Sequence, residues 1–192
     1  MNRAVKFLMG LSLIVMSCGD DAVQTSLVDE GWKFWKDGFY AQAHAKFSEA
    51  ALSDAEEGLN GLGWTTLKMD SLSQSEIYFV GSAVSGVAGD TLVDAMAGLA
   101  MVAWQQGDYA ISLQAANYVL RTEPNYIFEH DPSITKDDII LAKSYDEYHL
   151  LQYANCIASI QQLDGAFTAN VSDPAIAQIL INKLNLLSGT GS

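Results

Sequence analysis

One pattern of small and large residues recurs along the chain, and it limits the fold more than any other feature. In residues 31–50, Gly31, Phe34, Gly38, Tyr40, Ala43, Phe47 and Ala50 stand at offsets that suit two packed helices joined by a tight turn. Small side chains let helix axes approach closely, and large ones fill the space left beside them. The offsets return in Leu59, Leu62 and Gly63, followed by Leu72, Ser75, Phe79 and Ser82. They return again in Leu99 and Ala100, with Gly107, Asp108 and Tyr109 at the turn and Pro124 closing the unit. A fourth copy is assigned to Ala142, Tyr145, Leu151, Ala154 and Ala158, with His149 at its turn. The second turn carries Asp70 where the first and third carry glycine. The anchors Gly31, Gly63, Ala100 and Ala142 lie 32, 37 and 42 residues apart. Unequal intervals predict loops between units, the longest around 124–134. Thr135 predicts a helix start there, with Asp138 completing a near capping box. The last segment, SDPAIAQILINKLNLLSG, reads as one amphipathic helix capped by Ser172 or Asp173, with Pro174 in its first turn and Gly189 past its end. Three prolines and 49% hydrophobic residues in 192 positions fit a helical chain with a real core.

These offsets resemble the tetratricopeptide repeat, a helix–turn–helix unit of about 34 residues. The resemblance covers roughly residues 25–163. It implies an all-α helix-pair solenoid of about four repeats, and the final helix suits the capping element such a stack needs. It also implies a concave groove, lined by the first helix of each pair, where peptides or partner helices bind.

The first helix of the first repeat carries more than its core requires. Residues along a helix turn by about 100°, so Trp32 and Trp35 share one face while Phe34 points elsewhere. Leu27, Gly31 and Phe34 form the stripe toward the second helix, and Val28, Trp32 and Trp35 form another. In the repeat alignment Trp64 and Met101 fall at the position of Trp32, and Trp104 at that of Trp35. All four tryptophans thus fall on one face of successive first helices. Lys36 and Lys68 are matched beside them. The candidate partner groove is therefore Trp32, Trp35, Lys36, Trp64, Lys68, Met101 and Trp104. Tryptophan concentrates at binding hot spots. The same positions also serve packing between neighbouring repeats, and the final helix could fold back to fill the groove.

The opening residues, MNRAVKFLMGLSLIVMSCGDD, carry a basic start at Arg3 and Lys6, an apolar run from Phe7 to Met16, and Ser17 before Cys18. The run is too short to be read first as a membrane-spanning helix. VMSC at 15–18 resembles a bacterial lipobox, which implies a signal peptide over 1–17, lipid on Cys18, a tether over 18–24 and the solenoid over 25–188. The implied location is a bacterial cell envelope. Gly19 after the cysteine favours the outer membrane by analogy with lipoprotein sorting, with the facing side open. Lipidation of Cys18 leaves Cys156 no intramolecular partner, and its apolar surroundings, YANCIASI, point to a buried inert thiol.

Losing residues 1–17 removes Arg3 and Lys6 and no acid, taking the net charge from −13 to −15. Twenty-three acidic residues against the remaining eight basic ones argue against nucleic acid as a partner. No catalytic motif or zinc spacing stands out, and no cofactor is expected beyond the lipid. The segment EHDPSITKDD at 129–138 is rich in oxygen ligands but lacks calcium-loop spacing, so it reads as turn and helix-start chemistry. The expected function is a noncatalytic, lipid-anchored scaffold for a protein or peptide partner. Two alternatives are a glycan- or nutrient-capture lipoprotein and a structural subunit of an outer-membrane assembly complex.

Overall fold

The computed structural model describes residues 20–86 and 89–189, with side chains from Leu27 onward. The expected signal peptide and Cys18 lie outside the described residues. Helices α1 (Asp20–Lys36), α2 (Tyr40–Ala50), α3 (Ala55–Lys68), α4 (Leu72–Ser85), α5 (Asp90–Gln106), α6 (Tyr109–Thr122), α7 (Lys136–His149), α8 (Tyr153–Leu163) and α9 (Ile176–Leu187) follow in order. Helix α1 takes in residues 20–24, part of the stretch assigned to the tether. None of these helices is long and apolar enough to cross a membrane.

The helices pair as α1/α2, α3/α4, α5/α6 and α7/α8. The first helices also pack on one another, α1 on α3, α3 on α5 and α5 on α7, whereas second helices do not meet among the described residues. The stack is therefore a helix-pair solenoid that curves with α1, α3, α5 and α7 on its inner side. Helix α9 packs on α7 and α8 and covers the last open face. Its start is not at Pro174 as expected: Asp173 Oδ1 accepts the Ala175 N–H at 2.8 Å, and the helix begins at Ile176. Gly189 ends it with a φ of 74°.

The small-and-large code works through two phenylalanines. Phe47 of α2 lies against Gly31 of α1 and Gly61 of α3, and Phe79 of α4 lies against Gly63 of α3 and Gly98 of α5. A methyl group at any of these glycines would run into the ring. Each phenylalanine is thus clamped between the first helices of two successive repeats. Ser75 Oγ donates to the Gly63 carbonyl at 2.7 Å and Ser112 Oγ lies 2.9 Å from the Ala100 carbonyl, so the same link recurs in the next repeat.

The turns bring a correction. Gly38, Asp70 and Gly107 each stand seven residues after the anchor and take the left-handed conformation, with φ of 79°, 58° and 84°. The fourth turn places Leu151 there, at φ 60°. Counting back from Leu151 makes Ser144, not Ala142, the fourth anchor, and puts Cys156 at the small position of α8 and Ile160 at the large one, both fully buried. Ala154 and Ala158, assigned to that core from the sequence, are exposed. Leucine rarely adopts a positive φ, so nothing in the composition of this turn marks its register. The register shift also adds Tyr145 and Tyr148 to the inner face, in line with Trp32/Trp64/Met101 and with Trp35/Trp104.

Candidate functional site

The concave face is not open at its N-terminal half. The connection between α6 and α7, residues 123–135, crosses it as a strap. Two backbone hydrogen bonds close the strap on itself, Phe128 N–H to Ile134 O at 2.9 Å and Lys136 N–H to Tyr126 O at 2.8 Å, with Ile127 bridging Thr135. The Asp131 carboxylate accepts from Ser133 Oγ at 2.6 Å and its own N–H reaches Phe128 O at 3.2 Å, which turns the tip. At the far end Asp138 accepts the Thr135 N–H at 2.7 Å and Thr135 Oγ1 accepts the Asp137 N–H, which is the capping box that starts α7.

Phe128 is the centre of the contact. It is fully buried. Its ring stacks on Trp64 at 4.1 Å and meets Trp32 and Trp35 edge-on at 5.8 and 6.0 Å. His130 stacks on Trp32 at 3.7 Å. Burial, and secondarily the nearby Lys36, lowers the His130 pKa to about 4, so the imidazole is neutral in this position. Two polar links flank the aromatic cluster. Lys68 Nζ reaches Asp131 Oδ2 at 3.2 Å and lies 5.1 Å from the Trp35 ring centroid, a cation–π placement. Tyr126, the first buried residue of the strap, donates its hydroxyl to Asp94 Oδ1 of α5 at 2.9 Å. Burial raises the Asp94 pKa to about 7, against the opposing pull of that hydrogen bond. Trp35 Nε1, Trp64 Nε1 and His130 Nδ1 are buried with no hydrogen-bond partner among the described residues.

The structure brings Trp32, Trp35, Trp64 and Lys68 together, with the three indoles only 5%, 4% and 0% exposed. Lys36 remains exposed, at the rim of an open depression of about 350 Å³ that it shares with Asp29, Trp32, Lys33, Asp37, Glu129 and His130. Met101 is half-buried against the main core. Trp104 stands apart, half-buried beside Tyr145 at 5.4 Å, in a second cluster with Cys156, Ile160, Leu180 and Leu184. The face is covered by an inter-repeat loop, and α9 stays at the end of the stack. Sequence reasoning missed Tyr126, Phe128 and His130 as groove residues. The available signal was YIF at 126–128, three large apolar residues within a loop bounded by Pro124 and Pro132. Such a run needs a surface to bury it.

Deeper in the stack, Asp146 of α7 is fully buried, with Oδ2 2.6 Å from Ser112 Oγ and Oδ1 without a partner among the described residues. Burial raises its pKa to about 7. Glu147 beside it is held by Lys143 and by Ser159 Oγ at 2.6 Å. The Cys156 thiol is fully buried and its pKa is pushed up to about 12, chiefly by that burial. No group of three or more His, Cys, Asp or Glu among the described residues is placed to hold a metal ion.

No protein-family model and no curated protein matches the chain. Solved structures are similar in fold. MamA of AMB-1 superposes in one crystal form with a TM-score of 0.62 at 17% identity, covering 89% of this chain and 92% of that one. A second crystal form gives 0.61 at 16% identity over 90% and 86% of the two chains. A tetratricopeptide repeat protein from Parabacteroides merdae gives 0.58 at 12% identity, covering 88% of this chain and 61% of its own length. The fold of this chain is thus a tetratricopeptide-like helical repeat.

Proposed function

We propose that this chain is a noncatalytic scaffold, anchored by lipid on Cys18 in a bacterial envelope, that binds a protein or peptide partner on its concave face. The observation that carries the reading is that this face already holds a peptide segment of its own chain, the strap, closed on itself by turns. The aromatic cage formed by Trp32, Trp35 and Trp64, with Lys68 beside it, receives a phenylalanine and a carboxylate. Large aromatic area with one flanking charge is the composition of a protein-binding hot spot. The solenoid fold supports the same reading, because a stack of helix pairs presents an extended concave surface. Lipid attachment rests on the lipobox-like VMSC and placement in the outer membrane on Gly19. Glycan capture fits the site less well, since sugar stacking needs exposed indole faces and three of the four are buried.

Crosslinking in native membranes followed by affinity purification tests the scaffold function, and a specific, stoichiometric protein partner is the expected result. Purification of the bare chain after efficient crosslinking would refute it. The anchor is tested separately: wild type labelled with a clickable palmitate analogue should carry lipid, and Cys18→Ala should carry none and leave the membrane fraction.

A further inference from the structure

The strap occupies the surface that a partner would need, and its own chemistry describes that partner. Its apolar hold on the solenoid is Tyr126, Phe128 and Ile134, all three buried in the main core. Phe128 fills the cage, His130 stacks at one edge, and the polar links are Tyr126–Asp94 and Lys68–Asp131. The fit is complete in shape but not in hydrogen bonding. The indole N–H groups of Trp35 and Trp64 are buried without acceptors among the described residues, and a buried donor left unmet weakens the docked state. The strap's backbone hydrogen bonds run within itself at Phe128–Ile134 and to the first residue of α7 at Tyr126–Lys136, outside the ladders of the helices on either side.

We infer that residues 126–131 are an internal ligand, and that the partner of this face is a peptide segment that forms a tight turn, bearing an aromatic residue at the start of the turn and, three positions on, a carboxylate. The aromatic takes the place of Phe128 between Trp32, Trp35 and Trp64, and the carboxylate takes that of Asp131 on Lys68. This rests on the reading of the concave face as the binding surface. A tethered strap acts at an effective concentration on the order of millimolar. An external segment therefore binds weakly to the intact protein, in proportion to the small fraction with the strap lifted. Weakening the strap should raise apparent affinity without touching the cage.

The test uses a fluorescein-labelled peptide with the sequence of residues 124–135, titrated into the purified lipid-free protein from residue 19 onward and followed by anisotropy. Phe128→Ala should bind it at least about ten-fold more tightly than wild type, because the competing strap is lost. Tyr126→Phe, which removes only the link to Asp94, should fall between the two. The peptide with alanine in place of Phe128 should not bind, and Lys68→Glu combined with Phe128→Ala should weaken capture. If Phe128→Ala loses its helical circular dichroism, Tyr126→Phe decides. The inference is overturned if folded strap variants bind the peptide no better than wild type, or bind the alanine peptide equally well. That failure leaves the scaffold reading standing on another face if crosslinking still recovers a partner, whereas failure of crosslinking alone counts against the scaffold.

Discussion

Replacing Phe128 by alanine is the perturbation to which this fold should respond most out of proportion to its position in a loop. The ring is fully buried and touches three indoles and an imidazole. Complete burial of such a side chain is worth up to about 3 kcal/mol, and each well-placed aromatic pair adds about 0.5–1.5 kcal/mol. Phenylalanine-to-alanine changes in protein cores cost about 3–5 kcal/mol, the cavity included. The expected loss is therefore about 4 kcal/mol, reduced if the strap lifts and the indoles find water instead of a void. In a domain of this size that lowers the melting temperature by about 8–16 °C. Circular dichroism at 222 nm gives the melt, and tryptophan emission should shift to the red as Trp32, Trp35 and Trp64 lose their cover. Phe128→Leu, which keeps most of the volume, should lose only about 1 kcal/mol. An ordinary surface-loop substitution stays within about 0.5 kcal/mol. If Phe128→Ala behaved that way, with unchanged emission, the strap would not be part of the core and the reasoning would fail.

The glycine clamps make a second expectation: Gly63→Ala and Gly98→Ala should each destabilise by about 1–3 kcal/mol through overpacking against Phe79, measured by urea unfolding. The Lys68–Asp131 pair is partly exposed, so a double-mutant cycle with Lys68→Ala and Asp131→Ala should give a coupling below about 1 kcal/mol. Stability should also depend on pH. An unfolded aspartate releases its proton near pH 4, whereas the folded Asp94 and Asp146 keep theirs to about 7. The folded state thus binds more protons over that window, and their contribution to stability is lost as pH rises through it. Asp146→Asn should flatten this slope and raise the urea midpoint at about pH 8 relative to wild type. His130 acts in the opposite sense: folded at about 4 against an unfolded value near 6.5, it binds fewer protons when docked, so its contribution is lost as pH falls from about 6.5 to 4. His130→Phe keeps the stacking and should remove that acid-side loss, read from the same unfolding curves.

Three of the four repeats were legible because their code is steric. Glycine at 31 and 63 opposite phenylalanine at 47 and 79, and glycine or aspartate at a left-handed turn, are demands that only a few residue types meet. The fourth repeat was misread by two residues because Leu151 takes that turn conformation with a side chain that does not advertise it. The slip hid Tyr145 and Tyr148, which extend the aromatic face. Packing of the tryptophans between repeats was among the readings the sequence allowed, but the loop that covers Trp32, Trp35 and Trp64 was not. Inter-repeat spacing predicts a loop at 124–134, and its acidic and turn-forming residues outnumber the apolar signal of Tyr126 and Phe128. What covers a surface is set by tertiary return of the chain, which repeat periodicity does not encode. The position of the N-terminal tryptophan face was thus legible in the sequence, and the strap that covers it only in the fold.

The most direct test of the account is a nuclear Overhauser spectrum of the folded protein with selectively labelled aromatic rings. The fold places Phe128 stacked on Trp64 at 4.1 Å between centroids and His130 on Trp32 at 3.7 Å. It therefore predicts strong cross-peaks from the Phe128 ring to the Trp64 indole and from the His130 ring to the Trp32 indole. Absence of both, with residues 126–131 at random-coil shifts while the helices remain intact, would contradict it.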